Sequence, residues 1–524
     1  MQKKDTFVIL NKNNFTQEIL AHNGYFVDQI PPCFSTNSLA NAFNGKDFCK
    51  KLFSTFNIKK VKTYPIEISI YKAGLLRRVL SFPNILAYLK LLSILQSNFD
   101  EYKDLISSKN SESPANILTT LDYPSNFRQS MMNRNIKFSG NKYKLTIDIT
   151  NCYSSIYSHS ISWALLGKET AKAMAMDYNL QNGTYDKANQ IDRANTRLKL
   201  SETNGLITGP FSSRIISEII LGAIDKILAD KGYEFSRYVD DYNFYFTSKY
   251  DCEKAIGDIA TILSEYNFKI NESKIKIEEY PFDVLEDYAT IFNQPLNSKF
   301  PAYNTLQKAA LLDSNGKKGT YKYAFKLLRN NKSLQTCGYY ETKCLFYELI
   351  SIIINRPPMA RFAVEMISTL QVEFSADEMI DKLNDLLEKE LSSHHDQEVL
   401  WLLYIILRYS SKITPSNICT ILSKSNDFAI MMVLDLLNNH RDQIANYDII
   451  AKEVDETIKE HLILLEKELS SENLFSKRWF LVYEINYNNL TPYGLFKSLT
   501  LNDATYKQLK DSYVDFYISV FKKQ

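Results

Sequence analysis

Two aspartates stand side by side in Arg237-Tyr238-Val239-Asp240-Asp241-Tyr242, inside a run dense in aromatic residues. Crowding two carboxylates into one tight turn is electrostatically expensive unless cations offset them, so the pair invites a divalent metal. Successive strand side chains point to opposite faces, which makes Asp240 the principal ligand and Asp241 the adjustable one. A third carboxylate from a neighbouring strand would complete such a site, and Asp148, between Ile147 and Ile149, is the candidate. An all-oxygen site that shares its ion with substrate phosphates suits Mg2+, with Mn2+ as the second choice. Two such ions lower the pKa of an attacking hydroxyl and stabilise a leaving pyrophosphate, the chemistry of nucleotidyl transfer. The expected catalytic and metal-binding set is therefore Asp148, Asp240 and Asp241.

These carboxylates need strands to hold them. Residues 143–149 alternate apolar and polar, which predicts a strand with Asp148 near its end, and residues 233–247 read as two strands meeting at Asp240-Asp241. The stretch 168–203 is polar and helix-prone and reads as an insertion-like connection. Residues 204–210 give a turn signal, and an amphipathic helix follows over 213–228, with Ile215, Ile216, Ile219, Ile220 and Ile224. A helix over 252–266 and a strand over 269–277 close an α+β sheet with helices on one face. Upstream, residues 64–71 alternate like a strand, and 84–96 place Leu86, Leu89, Leu92 and Leu95 at helical spacing, with Lys72, Arg77 and Arg78 between them. Past residue 300 the pattern becomes successive amphipathic helices at 341–354, 359–369, 376–391, 398–409, 416–422 and 428–438. They predict an all-α region, either a stacked helical-hairpin array or an irregular bundle. The expected division is 1–62 as an N-terminal extension, 63–300 as the catalytic region and 301–524 as the helical region.

Composition sets limits on what such a chain can be. Its 524 residues are too many for one ordinary core, and 45% hydrophobic with 23% charged residues is the balance of a soluble globular protein. A net charge of only +2 gives no overall field for nucleic acid, so any such site must be local. Seven cysteines without C-x-x-C spacing, Cys49 among them, read as reduced thiols in the cytoplasm. Residues 1–5 do not open a signal peptide, and apolar runs such as 400–407 fall short of the roughly 18 residues that span a bilayer. His159 lacks neighbours at metal spacing and reads as a packing or hydrogen-bonding residue. His394-His395-Asp396 reads as a helix cap and Gly316-Lys317-Lys318-Gly319-Thr320 as a turn.

Tyr238-Val239-Asp240-Asp241 resembles the signature turn of reverse transcriptases, and Leu145-Thr146-Ile147-Asp148-Ile149-Thr150-Asn151-Cys152-Tyr153 resembles their first metal-binding segment. By that resemblance Tyr153 packs under the sugar and favours dNTP over NTP. Gly205-Leu206-Ile207-Thr208-Gly209-Pro210-Phe211-Ser212-Ser213 is similar to the segment beneath the incoming base, which assigns Gly205 and Ser213 to substrate binding. Lys274 is similar to the lysine that protonates departing pyrophosphate. Lys72 and Arg78 match the basic positions that clamp the triphosphate, with Arg77 a rival for the second place.

Residues 153–168 and 214–225 resemble more closely the abortive-infection (Abi) reverse transcriptases of bacterial phage defence, the AbiK-like group. That resemblance implies a polymerase palm and fingers, reverse-transcriptase-like and α+β, followed by an all-α HEAT-like repeat domain in place of a thumb. It implies an antiphage DNA polymerase of the bacterial cytoplasm that adds dNTPs without a template, primed from a protein tyrosine. Its single-stranded DNA product would be attached to the protein, and the protein would be a homo-oligomer. Tyr25 and Tyr71 are positional candidates for the primer. A conventional RNA-templated reverse transcriptase and a nucleotide-sensing helical scaffold with a vestigial palm are the other readings. Three intact carboxylates argue against the last.

Overall fold

The structure is a computed structural model that describes residues 7–9, 11–12, 24–43, 48, 52, 61–113, 115, 117–119, 127–282, 288–292, 300–330, 334, 337–370, 372, 377–409, 412–445 and 447–521. Residues 1–5, Cys49 and Ala376, on which sequence expectations rest, lie outside the described residues.

The first element near the site is a hairpin of β1 (Ile66–Ala73) and β2 (Leu76–Phe82), in register Ile70 to Arg78 and Tyr71 to Arg77. Sequence pattern predicts only the first strand and leaves Arg77 and Arg78 in a connection. Exposure of Leu76 and Val79 breaks the alternation of the second, and Gly74, at φ +56, turns the chain between them. Helix α1 (Ile85–Ser97) follows, started by the Asn84 side chain, which accepts from the Leu86 N–H. It is apolar nearly all round because it is buried nearly all round.

The central sheet is built from β3 (Tyr143–Asp148), helix α2 (Phe211–Asp230), β4 (Phe235–Tyr238), β5 (Asp241–Phe246), helix α3 (Lys249–Glu265) and β6 (Lys276–Glu279). Its strands run antiparallel in the order β4-β5-β3-β6. Strand alternation divides the residues between two faces. Leu145, Ile147, Tyr242 and Phe244 are buried, while Thr146, Asp148, Asp241 and Asn243 share the opposite face. The buried Ile215, Ile216, Ile219, Ile220 and Ile224 of α2 join the same core.

One expectation is corrected. The strand over 269–277 is interrupted: Ile270 makes only a single bridge, to Ile149, and residues Glu272–Lys274 form a 3-10 turn before β6 begins. The cause is local, because the Asn271 N–H bonds the Asp148 carbonyl and its own carbonyl accepts from Lys274 N, bending the chain. The stretch 168–203 is helical, as its helix-prone sequence leads one to expect, and it packs into the body rather than lying outside it. Its helix Gly183–Arg197 buries Ala188, Ile191 and Ala194 against α1 and the helix Ser160–Leu166.

Beyond residue 300 come helices Pro301–Ser314, Thr320–Asn330, Tyr339–Asn355, Ala360–Ile367 and Asp377–Ser392, then α4 (Asp396–Arg408), Pro415–Lys424, Asp427–Asn439, Tyr447–Ser470 and Trp479–Tyr487. The six expected from periodicity fall within a few residues of these. None of the described helices is long and apolar enough to cross a membrane. This helical region shares its core with the rest of the chain. The ring of Phe428 packs on Phe34 at 4.7 Å, on Phe82 at 5.1 Å and on Phe480 at 5.1 Å. Asn84 donates to the Leu474 carbonyl at 2.8 Å and to the Tyr506 hydroxyl at 2.7 Å.

Candidate active site

Register brings the carboxylates together. Asp148 is the last residue of β3 and lies directly opposite Asp241, the first of β5, with their carboxyl groups hydrogen-bonded to each other. Lys274 donates to one Asp148 oxygen at 2.9 Å and the Asn271 amide to the other at 3.1 Å. Burial raises the Asp148 carboxyl, but these partners and Asp241 outweigh it and hold it below the usual range. Asp241 moves the other way, to about 6, through partial burial, the charge of Asp240 and the bond to Asp148. Asp240 is also raised, by burial and by the charge of Asp148. The hydrogen bond to Asp148 raises Lys274 and keeps its amine protonated.

The donor set therefore suits a hard cation: crowded oxygens, two of them resisting ionisation until a positive charge arrives. The expected three-carboxylate cage is, however, not drawn closed. Among the described residues no three His, Cys, Asp or Glu side chains converge as a group that could hold a metal ion. Instead, the Lys274 ammonium lies 2.9 Å from an Asp148 oxygen.

The turn carrying Asp240 is a two-residue loop, since Tyr238 pairs with Asp241. Val239 has φ +56 and Asp240 is not in the positive-φ region, the sign pattern of a turn whose first central residue is normally Gly. A β-branched residue there is strained by about 1–3 kcal/mol. Arg237 holds it, donating to the Val239 carbonyl at 2.8 Å, while the Val239 N–H reaches the Ser113 hydroxyl at 3.3 Å. Arg237 is itself fully buried, forked onto Glu218 at 2.9 Å and Asp225 at 2.8 Å. Burial opposes its charge, but Asp225 and Glu218 more than offset that. Sequence reasoning overlooked Arg237, Glu218, Asp225 and Asn271. The signal was an arginine within an aromatic strand and two acids seven residues apart on an isoleucine-rich helix face.

The remaining expected residues divide. Arg78 lies on the hairpin face shared with Ile70, and its charge reaches Asp240. Arg77 is on the other face, with its guanidinium taken by Glu398. Lys72 is exposed beside a register shift after Tyr71. Tyr153 sits in a helical turn just past Asp148, its hydroxyl accepting from Ser217 at 3.5 Å and pushed up by burial. Gly205, at φ +76, packs on that turn; a Cβ would stand 3.1 Å from Ser154 backbone atoms. Ser213 is 1% exposed, within the core rather than on the open face. Tyr25 is buried and donates to the Pro83 carbonyl, whereas Tyr71 is half-buried and its hydroxyl accepts from Gly74 N at 3.1 Å on the exposed hairpin tip. His159 bonds Asp192 at 2.5 Å.

Against known proteins, residues 85–290 match the family model described as reverse transcriptase (RNA-dependent DNA polymerase). Over these residues the chain is similar to that family. The four-stranded sheet lies within the matched residues, and the hairpin of residues 66–82 precedes them. No curated protein matches the chain. Among solved structures, the C-terminally truncated apo telomerase of Candida tropicalis shares 16% identity, covering 48% of this chain and 57% of its own, with TM-score 0.29. The Candida albicans telomerase with a TWJ fragment of telomeric RNA shares 13%, covering 70% and 68%, with TM-score 0.29. The apo Candida tropicalis telomerase shares 12%, covering 81% and 74%, with TM-score 0.31. The chain thus spans little more than half of the truncated telomerase.

Proposed function

We propose that this protein is a Mg2+-dependent DNA polymerase of bacterial phage defence that adds dNTPs without a template, starting from a protein tyrosine. The observation that carries the polymerase reading is the cross-strand pair Asp148 and Asp241 beside Asp240, whose carboxyl also feels the charge of Arg78 on the hairpin. In this reading Asp148, Asp240 and Asp241 hold the ions. Bound Mg2+ would supply neutralisation of the crowded carboxylates and polarisation of the attacking and leaving oxygens. Lys72 and Arg78 grip the triphosphate, offsetting charge that develops as the bond breaks. Tyr153, fixed by its backbone bond from Leu206 N, shapes the floor under the sugar. Lys274, kept protonated by Asp148, gives its proton to the departing pyrophosphate.

Template independence, protein priming and the antiphage role rest on the resemblance to the abortive-infection group. The slight net charge of +2 supports them, because a gripped duplex demands many phosphate contacts. Helices past residue 300 stand in this reading as HEAT-like repeats in place of a thumb, within a cytoplasmic homo-oligomer carrying single-stranded DNA. Of the two positional primer candidates, Tyr71 alone keeps its hydroxyl out of the core.

Purified full-length protein with dNTPs and Mg2+ should make DNA equally with and without primer and template. That DNA should migrate with the protein on a denaturing gel, and an Asp240→Ala Asp241→Ala variant should make none. Product that strictly requires an RNA template would overturn template independence and leave the conventional reverse transcriptase, which the description of the matching family model favours.

A further inference from the structure

The β1–β2 hairpin is a sheet of two strands only, and such a unit is marginal without support. Its two open edges are both taken. On the β2 edge the Ser81 N–H bonds the Thr208 carbonyl at 2.8 Å, and the next residue, Gly209, has φ +136 and lies so close that a Cβ there would stand 3.1 Å from the Ser81 carbonyl oxygen. On the β1 edge the outward N–H groups of Ser69 and Tyr71 have no strand partner and go instead to the first turn of α4. Ser69 N donates to Asp396 Oδ2 at 2.7 Å and Tyr71 N to Gln397 Oε1 at 3.0 Å. The next residue, Glu398, is 2% exposed and accepts both arms of Arg77, at 2.6 and 2.7 Å. Arg77 also donates through Nε to the Ser69 hydroxyl and through Nη2 to the Ser69 carbonyl, each at 3.0 Å.

Adjacent strand residues point to opposite faces, so whatever fixes Arg77 sets the direction of Arg78. From these contacts we infer that Glu398 and Arg77 are positioning residues for triphosphate binding: the helical region holds the hairpin from behind and thereby aims Arg78 at the site of Asp240. This deepens the polymerase reading and rests on its assignment of Arg78 to the triphosphate. A bidentate pair specifies angle as well as distance, which a lone lysine contact would not. Losing it leaves the hairpin attached at both edges but free to tilt.

The test uses full-length protein and equilibrium binding of labelled dATP with Mg2+, followed by steady-state kinetics. Glu398→Gln should weaken dATP binding and raise KM roughly tenfold with kcat within about twofold, since the contact acts on substrate placement rather than on chemistry. Ser69→Ala, a milder change to the same clamp, should shift KM in the same direction by a smaller factor. The reversed pair Arg77→Glu Glu398→Arg should recover most of the affinity. In an Arg78→Ala background Glu398→Gln should have no further effect, because the two act on one contact. Equal dATP affinity in Glu398→Gln and the parent would overturn the inference, as would an undiminished effect in the Arg78→Ala background. If Glu398→Gln does not fold, unchanged KM in Ser69→Ala overturns it equally. Should the parent protein bind no dATP at all, the assignment of Arg78 falls first, and the positioning role with it.

Discussion

Asp241 shares a hydrogen bond with Asp148 and sits beside Asp240, and together with partial burial these lift its carboxyl from 3.8 to about 6. A carboxyl whose folded pKa is raised binds its proton more tightly in the folded than in the unfolded chain. Its contribution is therefore full below pH 3.8 and is lost as pH rises through about 6. At neutral pH the ionised group works against the fold, so Asp241→Asn should raise Tm by about 1–3 °C at pH 7 in the presence of a chelator. The difference should vanish by pH 4, and activity should be abolished. Mg2+ should stabilise the parent more than the variant, as expected of a ligand that binds only the folded carboxylates. A melting series over pH 4–8 with and without Mg2+ checks each part; a gap independent of pH would refute the assignment. Val239 offers a second residue-scale outcome. Val239→Gly removes the strain of φ +56 and should leave Tm equal or higher by about 1–3 °C, while kcat falls because the Asp240 turn is no longer rigid. Higher Tm with unchanged kcat would show that turn rigidity is irrelevant to turnover.

Below that turn, β4 and α2 exchange a buried guanidinium for two buried acids. Removing one partner of such a set leaves uncompensated charge, so Arg237→Met should cost about 3–5 kcal/mol. Adding Glu218→Gln and Asp225→Asn to that variant should return most of the loss, and chemical denaturation of the single and triple variants measures it. A triple variant no more stable than the single one would contradict the ion-network account. At this scale the chain was partly legible beforehand. Alternation over 143–149 placed Asp148 at a strand end, and the aromatic hairpin placed Asp240 and Asp241, because one face of that sheet is buried and the other open. The second hairpin strand was hidden because Leu76 and Val79 face solvent, so its alternation did not register. The break at Glu272–Lys274 was hidden because the chain bends to bond Asp148, a long-range partner that no local period records. Arg77 and Arg78 could not be told apart until Glu398, 321 residues away, was seen to claim one of them.

Phe428 joins Phe26, Phe34 and Phe82 from the first part of the chain to Phe480 from the last, with no solvent between them. Trp401 Nε1 donates to the Gln29 carbonyl at 2.9 Å, and Asn84 both caps α1 and reaches Leu474 and Tyr506. Sequence periodicity could separate helical from α+β segments but not foresee that they share one core, since aromatic contacts across hundreds of residues leave no mark on local spacing. A core shared in this way predicts that the α+β and helical regions unfold together. Calorimetry of the full chain should show one transition. Phe428→Ala, which empties the centre of the cluster, should lower it by about 3–5 kcal/mol without splitting it. Asn84→Ala removes a helix cap and two buried bonds and should lower the same transition by about 2–4 kcal/mol. If the regions were independent, Phe428→Ala would instead move one of two transitions and leave dATP-dependent stabilisation of the other intact. Coupling has the opposite signature: the shift that Mg2+ and dATP impose on the hairpin and central sheet should appear in full on probes placed in the helices past residue 300, because binding that favours one folded region then favours the whole.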